Sequence, residues 1–556
     1  MTRTTRIATL CSALLTATLA GCAVLPAAPA ASVVVEVPAV DHPGGETAAW
    51  WFRNGAAQAA ARGAGRGTAR NLILFVGDGM SLPTVAAARI LDGQRKGDPG
   101  EGHLLAWERF GHTALSRTYN TDAQTPDSAG TMSAMATGVK TRYGVVGVGP
   151  GPVRGDCAGA RDARVLTLWE LAAASGMATG VVTTTRVTHA TPAATFAHVA
   201  DRNWENDAAL AGAPGTEGCV DIARQMVESP HGNGPDVLLG GGRRNFLPVT
   251  RTDPEYPDQH GRRADGRDLV ATWQARHPGG SYAWNAAQLQ AAPLDAPLLG
   301  LFEPSAMHYV HERGTDAAGE PTLAEMTRAA ITRLQRDPDG YVLLVEGALI
   351  DYAHHAGNAY RALGETIALS EAVAVADAMT SADDTLILVT ADHAHTLTFA
   401  GHPARGNPIL GLVHKVGAPG TPARDANGLP YTTLGYANGP GYAGANGRPD
   451  LAGVDTTAPD YHQEAAVPLA SESHGGDDVG VWARGPGADA VRGSIEQNTI
   501  FHLLLQASPR LRNALCDKGY CDGNGVPVEL PDPADFRTAW PAPATRSPPA
   551  TAPAFR

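Results

Sequence analysis

Three acidic residues stand where uninterrupted apolar runs end: Asp78 after Asn71–Val76, Glu346 after Tyr341–Val345, and Asp392, with His393 beside it, after Thr385–Thr390. Apolar runs of that length read as strands buried on both faces, and in open α/β sheets ligands bind beyond the carboxyl ends of such strands. A single acid there often caps the next helix; three, one with a neighbouring His, point to a shared site for cations. In VEGALID and the residues after it, Asp351 and His355 are four apart. A helix from Ile350 puts them on one face, as a carboxylate and an imidazole suited to zinc or as a plain i,i+4 ion pair. His395 reads equally as a cap or a packed ring, and His474 as a loop His before a strand over Val479–Ala483. Ser128 stands where a loop enters a helix continuing through Met132–Thr137, so it is a nucleophile at a positive helix terminus or part of a cap. There is no GxSxG elbow and no GxxxxGK[ST] loop, which argues against an α/β-hydrolase triad and a P-loop.

The elements that must position these residues follow from the same pattern. Further strand-like runs occur at Met177–Thr183 and Asp236–Leu239, and helical stretches at about 48–66 and at Glu365–Met379. Strands alternating with helices predict an α/β fold: a central, largely parallel sheet sandwiched by helices. The chain has 556 residues, 43% of them hydrophobic and 18% charged, enough to bury a sizeable core. Its formal charge of -13 argues against nucleic-acid binding. It leaves an anionic substrate open, because bound metal ions reverse a local field. Residues 401–472, rich in Gly, Pro, Asn and Tyr, read as an inserted subdomain within a core of 46–400 and 473–525, and 526–556 as a Pro-rich tail.

The first 21 residues read as a signal peptide: Arg3 and Arg6 precede an apolar stretch, Ile7–Ala20, too short for a stable anchor. It ends in LAGC, which resembles a bacterial lipobox with Cys22 as the lipidated residue; ordinary signal cleavage at nearby alanines is the alternative. Residues 22–45 would then be a tether, and the product an exported periplasmic or outer-membrane-anchored lipoprotein that meets membrane only through its lipid. In an oxidising compartment Cys157, Cys219, Cys516 and Cys521 predict two disulfides. Of three pairings we favour Cys157–Cys219 and Cys516–Cys521, the latter closing a short loop; a zinc knuckle lacks its CxxC spacing.

Six segments in one order resemble the alkaline phosphatase family: NLILFVGDGM from Asn71, PDSAG at Pro126–Gly130, THATP at Thr188–Pro192, VEGALID at Val345–Asp351, TADHAH at Thr390–His395 and SHGGDDV at Ser473–Val479. DPEYP at Asp253–Pro257 and GLFEP at Gly300–Pro304 look closer to the animal tissue enzymes than to the enterobacterial one. The resemblance covers about residues 47–525 and implies a homodimeric phosphate monoesterase. It implies two zinc ions, one held by Asp351, His355 and His474 and the other by Asp78, Asp392 and His393, and magnesium held by Asp78, Thr191 and Glu346. It further implies Ser128 as a nucleophile that becomes phosphoserine, and Arg202, otherwise a surface helix Arg, as the grip on substrate phosphate. His189 would stand beside the magnesium, and Tyr352 replaces the Lys or His usual next to the first zinc's aspartate. A fourth, calcium site would use Glu255, the Phe302 carbonyl, Glu303 and Glu320, with Glu320 where Asp is the family residue. Residues 401–472 would form the family's crown-like subdomain. Related sulfatases need a CxPxR context that Thr125–Thr131 lacks.

Overall fold

The computed structural model describes residues 33–538, apart from 42, 212–214, 419 and 445–446. The expected signal peptide 1–21, Cys22, the first part of the tether and the end of the tail lie outside the described residues. Each apolar run forms a strand: β1 (Asn71–Gly77), β3 (Ala178–Arg186), β4 (Val237–Gly241), β7 (Tyr341–Gly347) and β8 (Thr385–Ala391). Shorter strands accompany them: β2 (His112–Arg117), β5 (Ser281–Ala283), β6 (Leu298–Leu301), β14 (Val479–Arg484) and β15 (Gly493–Glu496). These ten make one sheet in the order β15-β2-β14-β8-β1-β7-β3-β4-β6-β5. Only β14 runs antiparallel to its neighbours β8 and β2.

Alternate residues of β1 enter opposite cores. Leu72, Leu74 and Val76 pack with Phe52 and Phe501 from helices Ala48–Arg62 and Thr499–Ala507. Ile73 and Phe75 pack with Val85, Met326 and Val373 from helices Leu82–Arg95, Leu323–Leu334 and Ala359–Met379. Burial on both faces is what the unbroken apolar strands require. The sheet is therefore covered by helices on each side, as the sequence pattern predicts.

The register then sets the chemistry. β1 lies between β7 and β8, with Gly77 opposite Gly347 on one side and Ala391 on the other. Asp78 and Asp392 consequently stand level just past the carboxyl ends of β1 and β8, with Glu346 two register positions lower on β7, opposite Val76. Two smaller sheets lie apart from this one: β10 (Leu397–Phe399), β11 (Leu434–Gly439) and β12 (Ala465–Pro468), and the pair β9 (Ala394–His395) with β13 (His474–Gly475). His474 thus sits in a short strand rather than a free loop, because backbone pairing with His395 holds it. Cys157 is joined to Cys219 and Cys516 to Cys521. Among the described residues no helix is long and apolar enough to cross a membrane.

Candidate active site

The helix Leu349–His355 brings Asp351 and His355 one turn apart, and β13 delivers His474 to them. Asp351 Oδ1 lies 3.3 Å from His355 Nε2 and 3.3 Å from His474 Nε2, and the two imidazole nitrogens are 3.1 Å apart. His355 Nδ1 donates to the Glu472 carbonyl at 2.5 Å and His474 Nδ1 to the Pro126 carbonyl at 2.8 Å. A carbonyl only accepts, so each Nδ1 carries the proton and each Nε2 turns a lone pair toward Asp351. Burial pushes the Asp351 carboxyl upward, but His355, His395 and His474 outweigh it and hold it well below the usual carboxylate range. His395 Nε2 lies 2.7 Å from the same Asp351 oxygen.

Ser128 opens the helix Ser128–Thr137, capped by Asp127, whose Oδ1 accepts from Gly130 N at 3.1 Å. Its Oγ lies 3.2 Å from His393 Nε2 and donates to Asp78 Oδ1 at 3.4 Å. Asp392 completes this second group, accepting from Gly79 N at 2.9 Å and from the Thr131 hydroxyl at 3.3 Å. Gly79 has φ +68°, and a Cβ there would lie 2.2 Å from the His395 ring, so only glycine carries the chain past the site.

A third group gathers behind. Glu346 Oε2 accepts from the Thr183 hydroxyl at 2.5 Å, while its Oε1, together with Asp78 Oδ2 and His189 Nδ1, is buried without a hydrogen-bond partner among the described residues. Thr191 Oγ1 sits near enough to lower the Glu346 pKa yet outside hydrogen-bond geometry. Burial pushes Glu346 up to about 8 and raises Asp78 and Asp392 as well, with carboxylates repelling one another. Unpaired buried anions are costly. Oxygen-rich donors with free lone pairs fit a hard cation, and the His-containing groups fit zinc.

Arg202 is fixed by Asp127, Nη1 to Oδ2 at 2.9 Å, and its Nη2 lies 3.0 Å from His189 Nε2. Burial alone raises the Asp127 pKa, but Arg202 and the amides of Gly144 and Gly130 hold it below the carboxylate range. The Tyr352 hydroxyl accepts from Arg186 Nη1 at 2.8 Å and lies 3.2 Å from Thr185 Oγ1. Ser128, Arg202, Asp351, His355, His474 and Tyr352 all line one cavity of about 640 Å³.

A separate cluster joins Glu303, Glu320 and His308, whose Nδ1 is 3.5 Å from each carboxylate. Burial and the neighbouring Glu255 and Glu320 push Glu303 up to about 8, and Glu255 accepts from Arg243 at 3.0 Å. Phe302 is buried next to Glu303.

Two contributors escape sequence reasoning. Glu472 is buried with its carboxylate 2.5 Å from His395 Nδ1, and Asp127 grips Arg202 besides capping its helix. The nearest signals were their positions, two residues before His474 and one before Ser128.

Comparison with known proteins agrees with this geometry. The family model described as alkaline phosphatase matches residues 69–509. The chain is 46% identical over 451 residues to the tissue-nonspecific alkaline phosphatase of Gallus gallus, covering 79% of this chain and 84% of that one. It is 45% identical over 450 residues to the alkaline phosphatase of Gadus morhua, covering 79% and 92%. The likeness to animal tissue enzymes is thereby borne out. Among solved structures, alkaline phosphatase from Thermus thermophilus aligns with TM-score 0.56 at 25% identity, over 80% of this chain and 93% of that one. That from the Antarctic bacterium TAB5 shares the fold, with TM-score 0.53 at 22% identity over 80% and 98%. With strand order, site and relatives in agreement, the chain belongs to the alkaline phosphatase family, the metal-dependent hydrolases of phosphate monoesters.

Proposed function

We propose that Ser128 is the nucleophile, attacking the phosphorus of a phosphate monoester and carrying the phosphoryl group as phosphoserine until water releases inorganic phosphate. One geometric fact supports this above others: Ser128 Oγ lies 3.2 Å from His393 Nε2 and 3.4 Å from Asp78 Oδ1, in the cavity that Arg202 also lines. Asp351, His355 and His474 would hold one zinc ion, Asp78, Asp392 and His393 a second, and Asp78, Thr191 and Glu346 magnesium with His189 beside it. Such ions supply Lewis acidity, lowering the pKa of a serine hydroxyl and balancing charge on a departing oxygen.

The chain's own residues do the rest. Arg202 presents a planar fork that matches two phosphate oxygens, and Asp127 keeps it aimed. The N-terminal amides of the Ser128 helix face the same anion. The Ser128 hydroxyl points its proton at Asp78 Oδ1. Tyr352 spends its hydroxyl on Arg186 and Thr185, so position 352 brings no cation of its own to product phosphate, which should leave more readily.

The wider assignment follows the family resemblance. Calcium would be held by Glu255, the Phe302 carbonyl, Glu303 and Glu320. The crown-like insertion 401–472 would lie near the interface of a homodimer. The N-terminal 21 residues and Cys22 would make the product an exported lipoprotein.

The decisive experiment is p-nitrophenyl phosphate turnover at pH about 9 to 10, before and after chelation and with metals restored singly. Ser128→Ala should lose at least about a thousandfold in kcat with metal content unchanged. Near-normal turnover by that variant would end the proposal.

A further inference from the structure

We propose that Glu472 and Asn438 are positioning residues that clamp the segment carrying His474, Glu472 holding it to His355, His395 and Thr396 and Asn438 holding it to strand β11, and that they so set how tightly the Asp351, His355 and His474 group retains its ion. This presupposes that those three side chains hold a metal, as proposed above.

Glu472 is 1% exposed, and all its polar groups serve the site. Its Oε2 lies 2.5 Å from His395 Nδ1, and His395 Nε2 in turn lies 2.7 Å from Asp351 Oδ1, so the carboxylate acts on Asp351 through one ring. Its Oε1 accepts from Thr396 N at 2.7 Å and from the Thr396 hydroxyl at 2.5 Å. Its carbonyl accepts from His355 Nδ1 at 2.5 Å, and its amide donates to the His355 carbonyl at 2.9 Å. Two of the three candidate ligands are therefore oriented by one residue.

Asn438 secures the next one along. Its Oδ1 accepts from Ser473 N at 2.9 Å, and its Nδ2 donates to Ser473 Oγ at 2.8 Å, bracketing the residue before His474. Beside it Gly439 has φ +135°, and a Cβ there would come 3.1 Å from Glu472 Cβ, so the strand presses directly on the clamp. Groups that fix the far side of a ligand restrict its rotation, and their loss commonly costs 10–100-fold in metal affinity. Asn438 touches no ligand and carries no charge, which makes it the cleaner probe of geometry alone.

The test uses full-length zinc-loaded enzyme and follows zinc release to a chelator alongside turnover. Asn438→Ala and Glu472→Gln should release one zinc equivalent about 10–100-fold faster than the parent and the other at the parent rate. Added zinc should restore turnover, and Glu472→Asp should fall in between. Parent-like release from both variants overturns the clamp. So does faster release of both equivalents together, or a thermal midpoint of the metal-stripped variants below that of the metal-stripped parent, since each marks general loosening. A His355→Ala control separates the two ideas: if it keeps both zinc equivalents, the metal assignment itself has failed, whatever the clamp variants do.

Discussion

Asp127 and Arg202 are joined carboxylate to guanidinium at 2.9 Å, and the same carboxylate caps the helix on which Ser128 sits. One side chain therefore aligns both the hydroxyl proposed to attack and the arginine proposed to grip phosphate. Asp127→Asn keeps an oxygen for the cap but turns the charged partner of Arg202 into a neutral amide. Breaking a buried pair costs about 3 kcal/mol or more, roughly 100-fold in an equilibrium. The KM for p-nitrophenyl phosphate and the inhibition constant for phosphate should both rise by about one to two orders of magnitude, measured by steady-state kinetics.

Metal removal should reverse the usual pH dependence of the site. Glu346 is raised from 4.5 to about 8 by burial, so between those values the folded, metal-free chain holds a proton that the unfolded chain has lost. Stability then falls as pH rises through that window. Thermal melts of chelated protein should show a lower midpoint at pH 8 than at pH 5, an effect that Glu346→Gln blunts and metal abolishes.

Lys140 points the opposite way. Its side chain is wholly buried, 2.7 Å from Glu496 and 3.3 Å from the centre of the Tyr119 ring. Burial lowers its pKa from 10.5 to about 8, against the pull of Glu496. Between those values the unfolded chain holds the extra proton, so stability rises with pH, by about 3 kcal/mol at most. Urea midpoints at pH 7.5 and 10.5 test this, and Lys140→Met should flatten the difference.

The disulfides should differ in worth. Cys157–Cys219 closes a separation of 62 residues and Cys516–Cys521 one of 5. Chain-entropy arguments give about 4 and about 2 kcal/mol respectively. Paired Cys→Ser variants, compared by urea denaturation, should keep that order.

The strand ends were legible because a parallel sheet buried on both faces writes itself as unbroken apolar runs, and the acids that follow are conspicuous. β2 and β15 were not legible: His112–Arg117 buries Ala114 and Ser116 while exposing Leu115, so its residue types show no apolar alternation, and Gly493–Glu496 is too short to show a pattern. Asp127 reads as a cap from its neighbours, but nothing local says that it also reaches Arg202, 75 positions later. His395 and Glu472 fail for a related reason. Their meaning lies in burial and in a partner on another strand, and neither leaves a mark in the residues beside them. His474 reads as a loop residue because a two-residue strand has no periodicity to detect.

The cavity above Ser128 bears on what the enzyme meets in its surroundings. Beyond the groups proposed to face phosphate, its wall includes Thr125, Tyr143, Arg154, Asn203 and Ser471, each with a polar group to offer. Side chains of that kind measure the size and shape of a departing alcohol only loosely. Local abundance, more than recognition, then decides which ester is consumed, and a ranking of compounds by affinity in the test tube will say little about diet.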